Sequence, residues 1–295
     1  AAKAQTAARQ TYTNSTAAAD AASRAEAAAA RAEALAPADG QVLSVNGKSG
    51  VTMPQSALKA MISGTIFSVS ENQARPIQTG CLMEVTEDSV TMVAVDSFRL
   101  ARRTWHTENA ANHTLKFVVP AAGLKEIERI LEDSDEPVTF TLGDKHILFS
   151  IGDALLVSRV LEGEFIDWRR VVPTNCGTVL TANVAELTSS IERVSLIISE
   201  KVKSPVRCVF GDNMADFRTA NTIGSAHDTC SIAGNGGELE IGFNSRYLLD
   251  ALRVIPSEEV TLELQNGLSP IVFTPCDKKY DFAYMVLPVR LRSNS

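Results

Sequence analysis

Apolar positions along the chain keep two rhythms, one of about 3.6 residues and one of 2, and they alternate in a fixed order. In residues 54–67, Leu58, Met61, Ile62 and Ile66 fall on one helical face. Strand-like runs follow at 80–85, 89–96 and 114–119, parted by turn residues. A second helix is predicted over 120–132, with Leu124, Ile127, Ile130 and Leu131 inward and Pro120 suited to a helix start. Strands are then expected at 138–142, 146–151 and 154–160. The plan restarts with a helix over 183–199, whose apolar face is Val184, Leu187, Ile191, Val194 and Ile198. Strands are predicted at 206–210, 214–220, 229–233 and 238–243, a helix over 245–254 capped by Asn244, and closing strands at 260–264, 271–274 and 282–288. Helix, strands, helix, strands thus occurs twice, which predicts two like-folded α+β units, each with two helices packed on antiparallel sheet.

Residues 1–37 obey neither rhythm. About half of them are alanine, and the one large apolar residue in the 16–36 stretch is Leu35. Alanine favours a helix over 16–36, with Ser15 or Thr16 as cap and Pro37 as stop, but such a helix has no stripe to bury. It reads as a solvated arm or as a weak self-associating helix. Asn46-Gly47 then marks a hairpin turn. The division expected is 1–51 for the arm and linker, 52–175 for one unit and 176–295 for the other.

Composition narrows the function classes. With 295 residues, 45% of them hydrophobic, there is apolar material for two cores. No apolar run reaches the roughly 20 residues of a membrane span, and a cytoplasmic location is expected. A net charge of −7 confines any contact with nucleic acid to part of the surface. The five cysteines (Cys81, Cys176, Cys208, Cys230 and Cys276) are scattered without a CxxC, so reduced thiols are expected, with neither metal nor cofactor. His106, His113, His146 and His227 are isolated, and no nucleophile or metalloprotease motif is present, so no catalytic residue is assigned.

Several phrases resemble those of the bacterial DNA polymerase III β sliding clamp, in the family's order. Val95-Asp-Ser-Phe-Arg-Leu100 is similar to its T-D-G-H-R-L element, and 161–170 with Pro173 to its G-x-F-P-D-Y-x-x-V-x-P element. Glu240-Ile-Gly-Phe-Asn244 with Tyr247 and Leu248, and Tyr284-Met-Val-Leu-Pro-Val-Arg-Leu291, resemble phrases of its last domain. The resemblance covers the middle and last domains; the family's first domain has no counterpart. Ahead of them, the phrase at 45–51 resembles a short element of phage tail-fibre-type structural proteins.

The resemblance implies a DNA sliding clamp, or polymerase processivity factor, that encircles duplex DNA without regard to sequence and catalyses nothing. It implies double-stranded DNA, a clamp loader, polymerases and other clamp-binding proteins as partners, and a homo-oligomer as the route to a closed ring. The alternative is a phage-type structural protein, or a chimeric fragment, carrying clamp domains that cannot close. Helix-borne Lys59, Lys125, Arg129, Arg193, Arg246 and Arg253, with Arg75 from a loop, are the implied DNA contacts. The implied groove for partner peptides comprises Gln78, Val95, Ser97, Phe98, Arg99, Leu100, Ile166, Arg170, Val171, Val202, Asn244, Tyr247, Leu268, Met285, Leu287, Pro288, Val289, Arg290 and Leu291. Gln78 stands where the family has leucine, Phe98 where it has His, and Arg292-Ser-Asn-Ser295 runs past its usual terminal Leu.

Overall fold

In the first unit, strand β1 (Val51–Pro54) leads into helix α1 (Gln55–Ser63), and β2 (Gly80–Val85), β3 (Ser89–Val95), β4 (Arg99–His106) and β5 (Leu115–Pro120) follow. Helix α2 (Ala121–Ile130) precedes β6 (Pro137–Leu142), β7 (His146–Ile151) and β8 (Ala154–Arg159). The short helix α3 (Trp168–Val171) opens the passage to β9 (Thr178–Asn183), helix α4 (Val184–Ser195) and the long strands β10 (Val206–Ala220) and β11 (Ser225–Phe243). Helix α5 (Ser245–Leu252), β12 (Glu259–Leu264), β13 (Ile271–Pro275) and β14 (Phe282–Val286) complete the chain. This computed structural model describes residues 50–107, 114–199 and 204–291. The alanine-rich arm, the Asn46-Gly47 turn, the tail-fibre-like phrase up to residue 49, His113, Val202 and the 292–295 extension lie outside the described residues.

The repeat foreseen in the sequence holds at the level of strand register. In the sheet ordered β1-β6-β7-β8, one row of inward residues runs Val51, Phe140, Phe149, Leu156. In the stretch β9-β12-β13-β14 the matching row is Leu180, Leu262, Phe273, Tyr284. Each sheet buries its row beneath two helices: Leu58, Met61, Ile62, Leu124 and Ile127 descend from α1 and α2, and Leu187, Ile191, Val194, Leu248 and Leu252 from α4 and α5. Burying such side chains contributes about 1.5–3 kcal/mol each. Asn183 and Asn244 accept the backbone N–H of Glu186 and of Arg246 and so fix the starts of α4 and α5.

The difference from expectation lies where the units meet. Arg99–His106, Val51–Pro54 and Thr178–Asn183 are strands that the apolar rhythm did not reveal. β4 carries three arginines, yet it sits inside a ten-stranded sheet between β3 and β14. Its pairing with β14 crosses from one unit to the other, from Phe282 opposite Arg103 to Val286 opposite Arg99. Two of its arginines meet acids across that seam, Arg99 with Asp250 and Arg102 with Asp281, and Arg103 borders an open cleft. The predicted breaks within 206–220 and 225–243 are likewise absent: β10 and β11 pair in two blocks, with the register irregularity falling around Asp212.

Candidate functional site

The seam is built from the turn between β3 and β4. Asp96 accepts the backbone N–H of Phe98 at 2.7 Å and of Arg99 at 3.0 Å, which fixes the turn and leaves Phe98 54% exposed. Arg99 is buried. Its Nε donates to Asp96 at 3.0 Å, and its Nη1 donates to Asp250 of α5 at 2.6 Å. The guanidinium lies 4.6 Å from the centroid of Tyr247, and Phe98 stacks on the same ring at 5.8 Å. The chain leaving β14 completes the edge: Leu287 donates its N–H to Phe98 O, and Val289 donates to Gly242 O, each at 2.8 Å. A Cβ on Gly242 would stand 2.5 Å from a methyl of Leu291, so that leucine lies directly over β11.

Val95, Leu100 and Met285 form an apolar cluster on the sheet face away from the helices, and Ile166, Trp168 and Leu287 pack on it. Below this cluster Arg169 grips Glu84 with two hydrogen bonds of 3.0 Å, while Lys116 Nζ lies 3.4 Å from the same carboxylate. Arg102 donates to Asp281 at 2.6 Å across the seam, and His106 lies 2.8 Å from that acid. Burial works to raise both carboxyls, but Arg169 and Lys116 for Glu84, and Arg102 and His106 for Asp281, hold them below their ordinary range. A depressed carboxylate lends stability that is complete above its unfolded-state pKa and is lost as the pH falls through its folded-state value. Unfolding by urea from about pH 6 to about pH 3 should therefore show a falling stability, with a shallower fall in Glu84→Gln and Asp281→Asn.

The structure thus brings Val95, Phe98, Arg99, Leu100, Ile166, Tyr247, Met285, Leu287, Val289 and Leu291 to one seam. Asn244 caps α5 beside it, and Ser97, Pro288 and Arg290 border it by chain position. Arg170 turns outward, 87% exposed and paired with Asp167, and Val171 is 40% exposed. Leu268 stands 73% exposed on the β12–β13 loop. Gln78 follows Ile77, a neighbour of the apolar cluster, and its Oε1 is buried without a hydrogen-bond partner. Asp96 and Asp250, which set Arg99, were not singled out in the sequence; Asp96 lay inside the motif that named its neighbours.

The cationic candidates divide. Lys59, Lys125 and Arg129 lie on α1 and α2, Arg193 on α4, Arg246 on α5, Arg253 at its C-terminus and Arg75 on an exposed loop. Arg193 pairs with Asp228, Arg253 with Glu192 at 2.8 Å and Arg129 with Glu126 at 3.2 Å. Arg103, Lys278 and Lys279, outside the candidates named in the sequence, line a cleft of about 630 Å³ beside Ala57 and Ala60 of α1, together with Asp277 and Asp281. All five cysteines are free, and burial pushes the Cys81 thiol up to about 12 and that of Cys230 to about 11. Among the described residues no helix is long and apolar enough to cross a membrane, and no group of three or more His, Cys, Asp or Glu could hold a metal ion.

Comparison with known proteins places this geometry. Residues 52–167 match the model of the DNA polymerase III beta subunit, central domain, and residues 169–290 that of its C-terminal domain. The beta sliding clamp of Staphylococcus epidermidis is 29% identical over 248 residues, which are 83% of this chain and 65% of the relative. The chain therefore spans about 65% of the length of that relative. Among solved structures, a putative DNA polymerase III beta subunit from Eubacterium rectale superposes with a TM-score of 0.79 at 32% identity, covering 85% of this chain and 68% of its own. A Pseudomonas aeruginosa sliding clamp bound to griselimycin gives a TM-score of 0.78 at 29% identity, with 86% and 69% covered. Two consecutive domain models, relatives sharing both, and one repeated helix-on-sheet architecture lead to one statement: the chain belongs to the DNA polymerase III beta subunit family.

Proposed function

We propose that the chain works as a DNA sliding clamp, holding a polymerase or another clamp-binding protein to duplex DNA without catalysing a reaction. The observation that carries this reading is the seam. Phe98 and Tyr247 stack above a guanidinium that two acids lock, and Val289 and Leu287 continue as an apolar edge. Such a surface suits a short peptide with aliphatic or aromatic anchors: buried apolar area supplies affinity at about 25 cal/mol per Å², and the fixed polar groups orient the peptide backbone. The remaining groove positions named in the sequence belong to the same proposal.

A fluorescent clamp-binding peptide is expected to bind saturably at micromolar concentration, and Phe98→Ser or Val289→Asp to weaken it about tenfold or more. Absence of saturable binding at high micromolar concentration would defeat the reading. DNA would pass along the helices. Lys125 is exposed on α2 and Arg75 on the loop ahead of β2, and Lys278 and Lys279 lie beside α1. Most of the other cations are paired with acids, which favours loose contact over tight grip. Reversing Arg75, Lys125 and Arg129 to Glu should reduce DNA retention at low salt, with little change in peptide affinity.

A further inference from the structure

The segment that joins the two units supplies one wall of the peptide surface and has little backbone support of its own. Its Ile166 and Trp168 pack with Leu287 on the apolar cluster of Val95, Leu100 and Met285. Where the segment begins, Leu161 donates its N–H to Val118 O at 2.9 Å, and Gly163 then takes a positive φ of 133°. Among the described residues the backbone bonds beyond this point, from Arg170 to Asp167 O at 3.1 Å and from Val172 to Trp168 O at 3.2 Å, stay within the segment. α3 is a single turn of four residues, and Asp167 at its start forms no side-chain cap. So short a helix does not stand alone. Side chains must hold it in place.

Among the described residues two ion pairs tie the segment to the first unit. Lys145–Glu162 is exposed at both ends and contributes little. Arg169–Glu84 is different: both terminal nitrogens of the guanidinium reach the carboxylate, each at 3.0 Å, and the Glu84 side chain is 6% exposed. A two-pronged bond to a buried acid fixes the direction of a guanidinium as well as its distance. That guanidinium lies 4.2 Å from the centroid of Trp168. Arg102, locked by Asp281, lies 5.7 Å from the same ring. Trp168 is thus met by two cations, each anchored by an acid. Its Nε1 is buried without a hydrogen-bond partner, so packing and these cations set the ring.

We propose that Arg169 is a positioning residue of the peptide surface: anchored by Glu84, it sets Trp168 and with it the wall that carries Ile166. The proposal rests on the peptide reading above and deepens it. If Arg169 touched the partner directly, Glu84 would not matter to binding. The test is a titration of the fluorescent clamp-binding peptide with the full chain, in a Trp105→Phe background that leaves Trp168 as the one tryptophan. Arg169→Ala is expected to weaken the peptide about tenfold, Glu84→Gln about fivefold, and the two together about tenfold rather than about fiftyfold, because both break one link. Arg169→Lys leaves Glu84 a cation but neither the fork nor the flat stack, and is expected to weaken it about threefold without baring the carboxylate. With no peptide present, Trp168 emission should move to longer wavelength in Arg169→Ala and in Glu84→Gln as the ring becomes wetter. Parent-like affinity in either single variant, losses that multiply in the double variant, or an unshifted Trp168 emission would each overturn the proposal and leave the peptide reading standing. No saturable binding to the parent chain would overturn both.

Discussion

Tyr284→Ala is expected to lower the free energy of unfolding by about 3–5 kcal/mol, the cost of removing a large aromatic side chain from a packed core. Tyr284 is fully buried in the seam strand, stacked on Phe282 with centroids 4.9 Å apart and edge-on to Phe67 at 5.6 Å. It extends the core row of one unit into the sheet of the other, so its loss opens a cavity against both. Its hydroxyl has no hydrogen bond of ordinary geometry. Burial pushes the phenol up to about 12, with Arg103 working in the opposite direction, so the ring is neutral at any working pH. Tyr284→Phe should therefore fall within about 1 kcal/mol of the parent, on either side, since it removes an unsatisfied polar atom and keeps the ring. Equilibrium urea unfolding of the two variants checks both values.

Arg99→Ala is expected to cost about 3 kcal/mol and to abolish peptide binding. The guanidinium is 9% exposed and bridges Asp96 and Asp250, which are 13% and 23% exposed. Deleting it leaves two largely desolvated carboxylates without their cation, the situation in which breaking an ion pair is most costly. The same change releases Tyr247, whose ring lies under the guanidinium, and with it the platform on which Phe98 stacks. Asp250→Ala should be milder, because Asp96 still pairs with Arg99. A double-mutant cycle of Arg99→Ala with Asp250→Ala should give a coupling above about 1 kcal/mol. Additive effects would mean that the arginine acts by packing alone.

Much of this fold was legible in the sequence. Helices α1, α2, α4 and α5 buried most of the faces that their periodicity marked, with Leu124 and Ile127 on α2 and Leu187, Ile191 and Val194 on α4, but Ile130, expected inward, is the last residue of α2 and is 41% exposed. β2 and β7 fell at their predicted limits. What periodicity could not reveal was β4. Arg99 and Arg102 look like solvated positions until Asp250 and Asp281 arrive from parts of the chain 151 and 179 residues away. Local pattern carries no record of such distant compensation. The arms of β10 and β11 were read as separate strands, with gaps at 211–213 and 234–237 that contain Gly211, Gly234 and Gly236. Instead Gly234 takes a positive φ of 115°, and Gly236 lies so close to Phe210 that a Cβ there would stand 2.2 Å from its carbonyl oxygen.

The site was legible in a different way. Phe98, Arg99, Tyr247 and Leu287 were named through resemblance to phrases, and the structure joins those phrases in space. Composition would have left Val95, Leu100 and Met285 as ordinary core residues, and in burial that is what they are. Their relevance comes from sitting under an exposed edge. The lysines of the β13–β14 turn escaped because a pair of adjacent cations in a loop has no meaning until α1 is placed beside it.

Central to this account is a single surface at the meeting of the two units that accepts a partner's peptide. Hydrogen exchange with and without a saturating clamp-binding peptide reports on it directly, because backbone amides that become protected mark where the peptide lies. Protection is expected at 95–100, 244–248 and 285–291, with β8 unchanged. Protection confined to other elements, or none at saturation, would contradict it.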